Sequence, residues 1–312
     1  MARFIVMGDA HLRTRPPEAR KDPDFAAVCL EKLAQVFELA DSMGMDGVIQ
    51  PGDFFDSADP SKELLADVID LLLAYKTKLY AIHGQHDMAY HSSAAVHRSA
   101  LRVMEAAKAV VLLTHTPTPV ADVMLYGNNF GDDPANPALL TGGRHNILVT
   151  HAMVGDKPLW PGHDLLDFKG YINKWGGYSS YIFGDYHYKW VHPTPLGGWA
   201  MDAGCLLRLN QTDVARNHQP GVFLWDTDGG PVDHLLSVAP VESVFLPGEA
   251  TKEHDNQKLM EMVEALRAGG AIGVSFKENL ETHYLRNNTP MVVRELISKA
   301  LVLEEKHDGG QR

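Results

Sequence analysis

The chain has 312 residues, 45% hydrophobic and 22% charged, and a formal net charge of −12. That length allows one large domain plus a small one around a sizeable core, and no apolar run is long enough to span a bilayer. The acidic balance argues against a protein that wraps nucleic acid by charge alone, while leaving room for a nuclease whose metal centre and a local basic loop offset it.

The first element is a strand, "RFIVMGDAH", that stops at Gly8-Asp9. Its apolar run is too short for a signal peptide, which points to a cytoplasmic protein. "HLRTRPPEARK" follows with Arg13, Arg15, Arg20 and Lys21; it reads either as a solvated loop or as a phosphate-contacting loop at a cleft mouth. Phe25 to Met43 carries apolar residues at helical spacing. "DGVIQPGDFFD" is a second strand ending in Asp53, with Asp56 read as a turn residue. Asp59 as N-cap and Pro60 at the first helical position announce a helix from Ser61 to Tyr75.

A third strand, "LYAIHGQHD", ends in Gly84, Gln85, His86 and Asp87. Gly84 is expected to let the backbone turn there. His83 reads as a packed histidine and His91 as an even choice between cleft and solvent. Ser93 to Lys108 is a third helix. "NILVTHAMV" ends in His151, "SYIFGDYH" in Asp185 and His187, and "WAMDAGC" repeats the pattern. His115, His145 and His218 read as surface residues. Cys29 and Cys205 are too few for a disulfide framework and read as inert core thiols. Sixteen histidines in all favour a metal site, since imidazole is the commonest metal ligand.

After about residue 240 the Asp/His-loaded turns cease. "SVFLPGEATKEHDNQKLMEMVEALRAGG" reads as strand, turn and helix, "AIGVSF" as a strand, and Thr289-Pro290 as the start of a last helix through Leu303. The expected organisation is a 1–240 catalytic domain and a 241–312 accessory domain. Strands alternating with helices imply an α/β fold, whose ligands bind beyond the carboxyl ends of the strands. Asp9, His11, Asp53, His86, Asp87, His151, Asp185 and His187 all fall there. A mixed Asp/His set of this kind suits two hard or borderline divalent ions, which sit about 3.5–4 Å apart and serve in-line phosphoryl transfer.

The ordered segments "GDAH", "GDFFD", "GQHD", "VTHAM" and "GDYH" resemble the calcineurin-like metallophosphoesterase superfamily. The layout around "PGDFFDSADPSKELL" and "GDYHYKWVHPTPLGGWAMDAGC" is similar to its SbcD-like double-strand-break-repair nuclease branch, and "GQHD" with the compact C-terminal region to phage-encoded members, hence the host cytoplasm. The resemblance implies a two-sheet sandwich flanked by helices, with a small C-terminal α+β domain. It implies that Asp9, His11 and His187 hold one metal, that Asp53 bridges, and that Gln85, His151 and Asp185 hold a second. His86 would protonate the leaving oxygen with Asp87 orienting it. Mn²⁺ is the expected ion, with Mg²⁺ the alternative.

Two positions depart from the pattern, which has Asn at Gln85 and His at Asp185. Either both remain ligands or the second site is weakened. Implied partners are DNA, a coiled-coil ATPase of the SbcC type and a second copy of the chain, with no membrane. Three functions stay open: a DNA nuclease, a phosphoesterase for cyclic nucleotides or phosphomonoesters, and a DNA-end-binding scaffold with an impaired metal centre.

Overall fold

A computed structural model describes residues 1–18, 20–135, 145–159, 165–209 and 216–246. Contacts divide the chain into Met1–Glu253 and His254–Arg312. The expected accessory elements beyond residue 246 lie outside the described residues.

Two six-stranded mixed sheets form the body. The first contains β1 (Arg3–Val6), β2 (Gly47–Gln50), β3 (Leu79–Ala81), β4 (Val110–Leu112), β11 (Gly221–Asp226) and β12 (Val232–Leu235), in the order β12-β11-β1-β2-β3-β4. The second contains β5 (Thr118–Val120), β6 (Val123–Asn128), β7 (His145–His151), β8 (Ser180–Gly184), β9 (Trp190–Pro193) and β10 (Trp199–Asp202), in the order β5-β6-β7-β8-β10-β9. β1 to β4 run parallel in one sheet, and β6, β7, β8 and β10 in the other. The antiparallel strands take the margins.

Strand alternation sorts the core into layers. Phe4, Val6, Ile49, Ile82, Ile147, Ile182 and Trp225 belong to one buried cluster, contributed by both sheets. Ile5, Met7, Val48 and Ala81, one residue out of phase, pack with α1 (Phe25–Met43), α2 (Lys62–Ala74) and α3 (Ala100–Ala106). Tyr126, Leu148, Tyr181 and Phe183 join Phe168 and Tyr171 of α4 (Phe168–Trp175). The outcome is a helix–sheet–sheet–helix sandwich whose parallel strands are buried on both faces, as parallel sheets require.

Local chemistry sets the helix ends. α1 starts where the Asp24 carboxylate accepts the Ala27 amide and stops at Gly44, whose φ of 60° ends the helix in a left-handed turn. α2 is capped by Ser61, whose hydroxyl accepts from the Leu64 amide, not by Asp59 as expected. The Ser93–Lys108 helix is reduced to α3, preceded by two 3₁₀ turns, Ala89–His91 and Ser93–Arg98. Tyr90 inside the first has a left-handed φ of 59°, and the Ser99 hydroxyl opens α3 afresh. Where a strand was expected from "SVFLP", Ser243 and Val244 instead close a short helix, α5 (Val241–Val244), and Phe245 makes a single bridge with Arg20.

Candidate metal centre

The carboxyl ends of the parallel strands of both sheets bring the ligand-type residues together. Asp9 and His11 follow β1, Asp53 follows β2, Gln85 and His86 follow β3, His151 ends β7, and Asp185 and His187 follow β8. The extended geometry that would align Asp9 with His11 does not persist. His11, Asp53, Asp185 and His187 all have left-handed backbones, with φ of 44°, 51°, 81° and 65°. Such conformations cost energy in non-glycine residues and persist only where the surroundings hold them. Here the Ala10 and His11 amides donate to the Asp53 carbonyl at 3.1 and 3.0 Å, and the Leu206 amide to the Asp9 carbonyl at 2.8 Å.

Among the described residues, three groups have ligand atoms within 4.8 Å of one another: Asp9, His11 and His187; Asp9, Asp53 and His151; and His11, Asp56 and His86. His187 Nε2 lies 3.0 Å from Asp9 Oδ2 and 3.0 Å from His11 Nε2. Asp53 Oδ2 is central, 3.5 Å from His151 Nε2 and 3.9 Å from both His11 Nε2 and His86 Nε2. His151 Nδ1 donates to the Pro51 carbonyl at 2.6 Å, fixing the tautomer that aims Nε2 at the centre. Asp9 Oδ1, Asp53 Oδ2, Gln85 Oε1 and His151 Nε2 are buried without a hydrogen-bond partner. A folded interior seldom leaves so many polar atoms unpartnered in one place, at about 1–3 kcal/mol each. The donor set therefore fits divalent cations.

Electrostatics agree. Burial pulls His11 down to about 4, leaving a neutral imidazole. Burial also works against charge on His151, but Asp53, Asp9 and Asp185 override it and raise His151 to about 10. His187 is likewise raised against its burial, chiefly by Asp9. A cation would compete with protons for these ring nitrogens, since a ligating imidazole must be neutral.

His86 is half-exposed on the cleft side. Its amide donates to Asp53 Oδ1 at 2.8 Å, and its Nδ1 to the Asp56 carbonyl at 3.2 Å. The expectation that Asp87 orients His86 is corrected here. Asp87 is fully buried, and its carboxylate accepts the amides of Phe54, Phe55 and Gly84 at 3.1, 2.9 and 3.0 Å. It braces the loop that carries Asp53, while the Asp56 carbonyl holds His86. Burial, with the nearby Asp53 charge, pushes the Asp87 carboxyl up to about 7. Gly84 also has a different task from the one expected. A Cβ there would meet Asp53 Oδ1 at 2.1 Å, so the missing side chain makes room for a carboxylate.

Asp185 belongs to none of the three groups. Its Oδ1 accepts the Gln85 amide nitrogen at 2.8 Å. His91 is exposed, with Nδ1 on the Gln85 carbonyl at 3.0 Å and its ring edge-on to His86 at 5.9 Å. Arg13 pairs with Asp56 at 2.9 Å and donates to the Arg15 carbonyl at 3.0 Å; Arg15 is exposed. Arg20 is not part of a basic surface, since it is buried, forked onto Asp22 at 2.6 and 2.8 Å, with its guanidinium over Phe25 and Phe245.

Sequence reasoning underrated three residues. Asp56 enters a ligand group, three positions after Asp53. Asp202, at the end of β10, is fully buried with Oδ2 unpaired, and burial together with Asp9 holds its carboxyl well above the ordinary range. "WAMDAGC" carries the same strand-end signature as the ligand segments. His218 is half-buried, with Nε2 on the Cys205 carbonyl at 2.6 Å, and lines the cleft; no sequence signal marks it.

The cleft has a cavity of about 340 Å³. It is lined by His11, Asp53, Gln85, His86, Asp185 and His187 together with apolar and aromatic side chains, among them Met153, Leu159, Tyr188, Leu207 and Leu209. Among the described residues, no helix is long and apolar enough to cross a membrane.

One solved structure shares the fold, and two further ones match more loosely. A dimetal phosphatase from Danio rerio superposes with a TM-score of 0.50 at 10% identity, covering 76% of this chain and 99% of that one. A 5′-nucleotidase from Candida albicans gives a TM-score of 0.40 at 13% identity, covering 65% and 46%. A hypothetical protein from Pyrococcus horikoshii gives 0.40 at 12% identity, covering 85% and 94%. No curated protein matches the sequence significantly. The profile of the calcineurin-like phosphoesterases matches residues 2–261, and the chain, with Asp and His donors at the ends of two parallel-stranded sheets, belongs to that family.

Proposed function

We propose that the protein is a metal-dependent phosphodiesterase that cleaves DNA, acting on an unpaired nucleotide or strand end. The observation that carries this reading is the mixed lining of the cleft. Unpaired ligand atoms of Asp53 and Gln85 share it with Tyr188, Met153 and Leu207. A scissile phosphate suits the metal-ligating part. A nucleobase suits the apolar and aromatic part, since bases stack on aromatic and apolar side chains. A cavity of about 340 Å³ is of the size of a single nucleotide, which favours an unpaired one.

Asp9, His11 and His187 would hold one ion, and Asp53, His151 and Gln85 the other, with Asp53 placed to face both. Bound divalent ions neutralise phosphate charge and lower the pKa of water. Oxygen donors from Asp53 and Gln85 favour Mn²⁺ or Mg²⁺ over Zn²⁺ at the second position. His86 donates Nδ1–H to the Asp56 carbonyl, which orients the ring with Nε2 3.9 Å from Asp53 Oδ2; acting as general acid it would give up an Nε2 proton from the doubly protonated ring to the leaving oxygen and keep the Nδ1 proton. Arg13 and Arg15 would meet the phosphates that flank the cleft.

A second reading, a phosphodiesterase for small nucleotides, is favoured by the one-nucleotide cavity and by the net charge of −12. Mn²⁺-dependent cleavage of single-stranded DNA, compared with that of cyclic nucleotides and bis(p-nitrophenyl) phosphate, separates the two. Efficient turnover of cyclic nucleotides with none of DNA would reject the nuclease.

A further inference from the structure

Gln85 and Asp185 approach the cleft from different sheets, after β3 and β8, and meet there. The Gln85 amide nitrogen donates to Asp185 Oδ1 at 2.8 Å, while Gln85 Oε1 is buried and accepts nothing. Both backbones are pinned. The Gln85 carbonyl accepts from His91 Nδ1 at 3.0 Å and from the Met88 amide at 3.3 Å. The Asp185 amide donates to Asp9 Oδ2 at 2.9 Å.

An ionised carboxylate can only accept hydrogen bonds, so the NH₂ end of an amide must face it. The orientation of the Gln85 amide, ordinarily ambiguous, is thereby fixed by chemistry. Its oxygen is left with free lone pairs, on a side chain that lines the cleft together with Asp53 and His86.

We propose that Asp185 is a positioning residue that turns the Gln85 amide so that its oxygen, rather than its nitrogen, is presented to the cation held by Asp53 and His151. This rests on the metal-centre reading above. Asp185 then stands behind a ligand instead of serving as one, consistent with its engaged Oδ1 and its absence from the three ligand groups. Gln85 and Asp185 act as one hydrogen-bonded unit, and neither is useful without the other. A side-chain amide at 185 could offer its own NH₂, allow the Gln85 amide to rotate, and turn a donor nitrogen toward the cation.

The test is calorimetric titration of the metal-free full-length protein with Mn²⁺, for wild type, Asp185→Asn, Gln85→Ala and the double variant. Wild type should take up two equivalents. Asp185→Asn should weaken one of them by about tenfold or more, the range found when the partner that orients a ligand is removed. Gln85→Ala should weaken the same equivalent, and the double variant should be no worse than the poorer single one. Unchanged Mn²⁺ affinity in Asp185→Asn overturns the proposal, as do fully additive effects, which would make Asp185 an independent ligand. No Mn²⁺ uptake by wild type would overturn the metal-centre reading with it. A second readout needs no metal. The side-chain NH₂ resonances of Gln85 in the ¹⁵N-correlated spectrum should be shifted by the carboxylate in wild type and relax toward ordinary values in Asp185→Asn. Identical resonances in the two proteins would overturn the proposal.

Discussion

The Nε2 atoms of His11 and His187 stand 3.0 Å apart, with Asp9 Oδ2 3.0 Å from the second of them. Burial holds His11 near a pKa of 4, so its lone pair is available at neutral pH. Two imidazole nitrogens and a carboxylate at this spacing are satisfied together by one cation. At about 100 times its Kd, Mn²⁺ should stabilise the wild type by about 2.7 kcal/mol. His11→Ala should lose most of that gain, read by thermal melts with and without chelator. An undiminished Mn²⁺-induced rise in the Tm of the variant would contradict the assignment.

His86 should matter for turnover and little for metal uptake. His86→Ala is expected to lower kcat by about 10²–10⁴-fold, the usual worth of a positioned general acid. The loss should shrink sharply on bis(p-nitrophenyl) phosphate, whose leaving group needs no proton. Equal losses on good and poor leaving groups would remove His86 from the proton-donor role.

Asp87 accepts three amides in a fully buried position, and only an acceptor-only group can serve all three. Asp87→Asn should cost about 2–3 kcal/mol of stability, the penalty for leaving buried donors unpaired, and weaken Mn²⁺ binding through Asp53. Chemical denaturation and metal titration read the two effects. A fully stable variant with impaired kcat alone would restore the His86-orienting role that the hydrogen bonds do not support.

Asp41 provides a pH test far from the centre. The Thr77 hydroxyl and the Lys76 and Thr77 amides bind its carboxylate and lower its pKa. A depressed folded-state value means stability that is present above the unfolded pKa of about 3.9 and lost as pH falls through the folded value. At this solvent-accessible site the effect is modest. Asp41→Asn should be less stable than wild type by at most about 1 kcal/mol at pH 7, with the gap closing below about pH 4. Urea melts across pH check it, and a gap constant with pH would refute it.

Of the parallel strands, β1, β2, β3, β7, β8 and β10 were readable because burial on both faces leaves short apolar runs, and each of these runs ends abruptly in Asp or His. Phe25–Met43 was readable from its helical spacing and matches α1 residue for residue. β4, β5 and β9 were not singled out, being three or four residues long with partly polar faces. They owe their strand form to neighbours in the sheet. The residues of the centre were visible as types, but their hydrogen bonds were not. Nothing in "GQHD" says that Asp87 looks back at Phe54, or that Gln85 finds Asp185 a hundred positions later. Those contacts follow from how two sheets meet, and single-sequence periodicity does not encode that.

The seam between the sheets has a kinetic consequence. Asp9, His11, Asp53 and His86 belong to one sheet, and His151 and His187 to the other, so no complete ligand group of the Asp9–His11–His187 or Asp9–Asp53–His151 kind exists until the two have docked. A cation captured there acts as a rivet on a finished joint. Interactions absent from the folding transition state alter unfolding rates and leave folding rates nearly untouched. Metal should therefore lengthen the lifetime of the native state without hastening its formation, and the chevron's unfolding arm is where its presence should be felt.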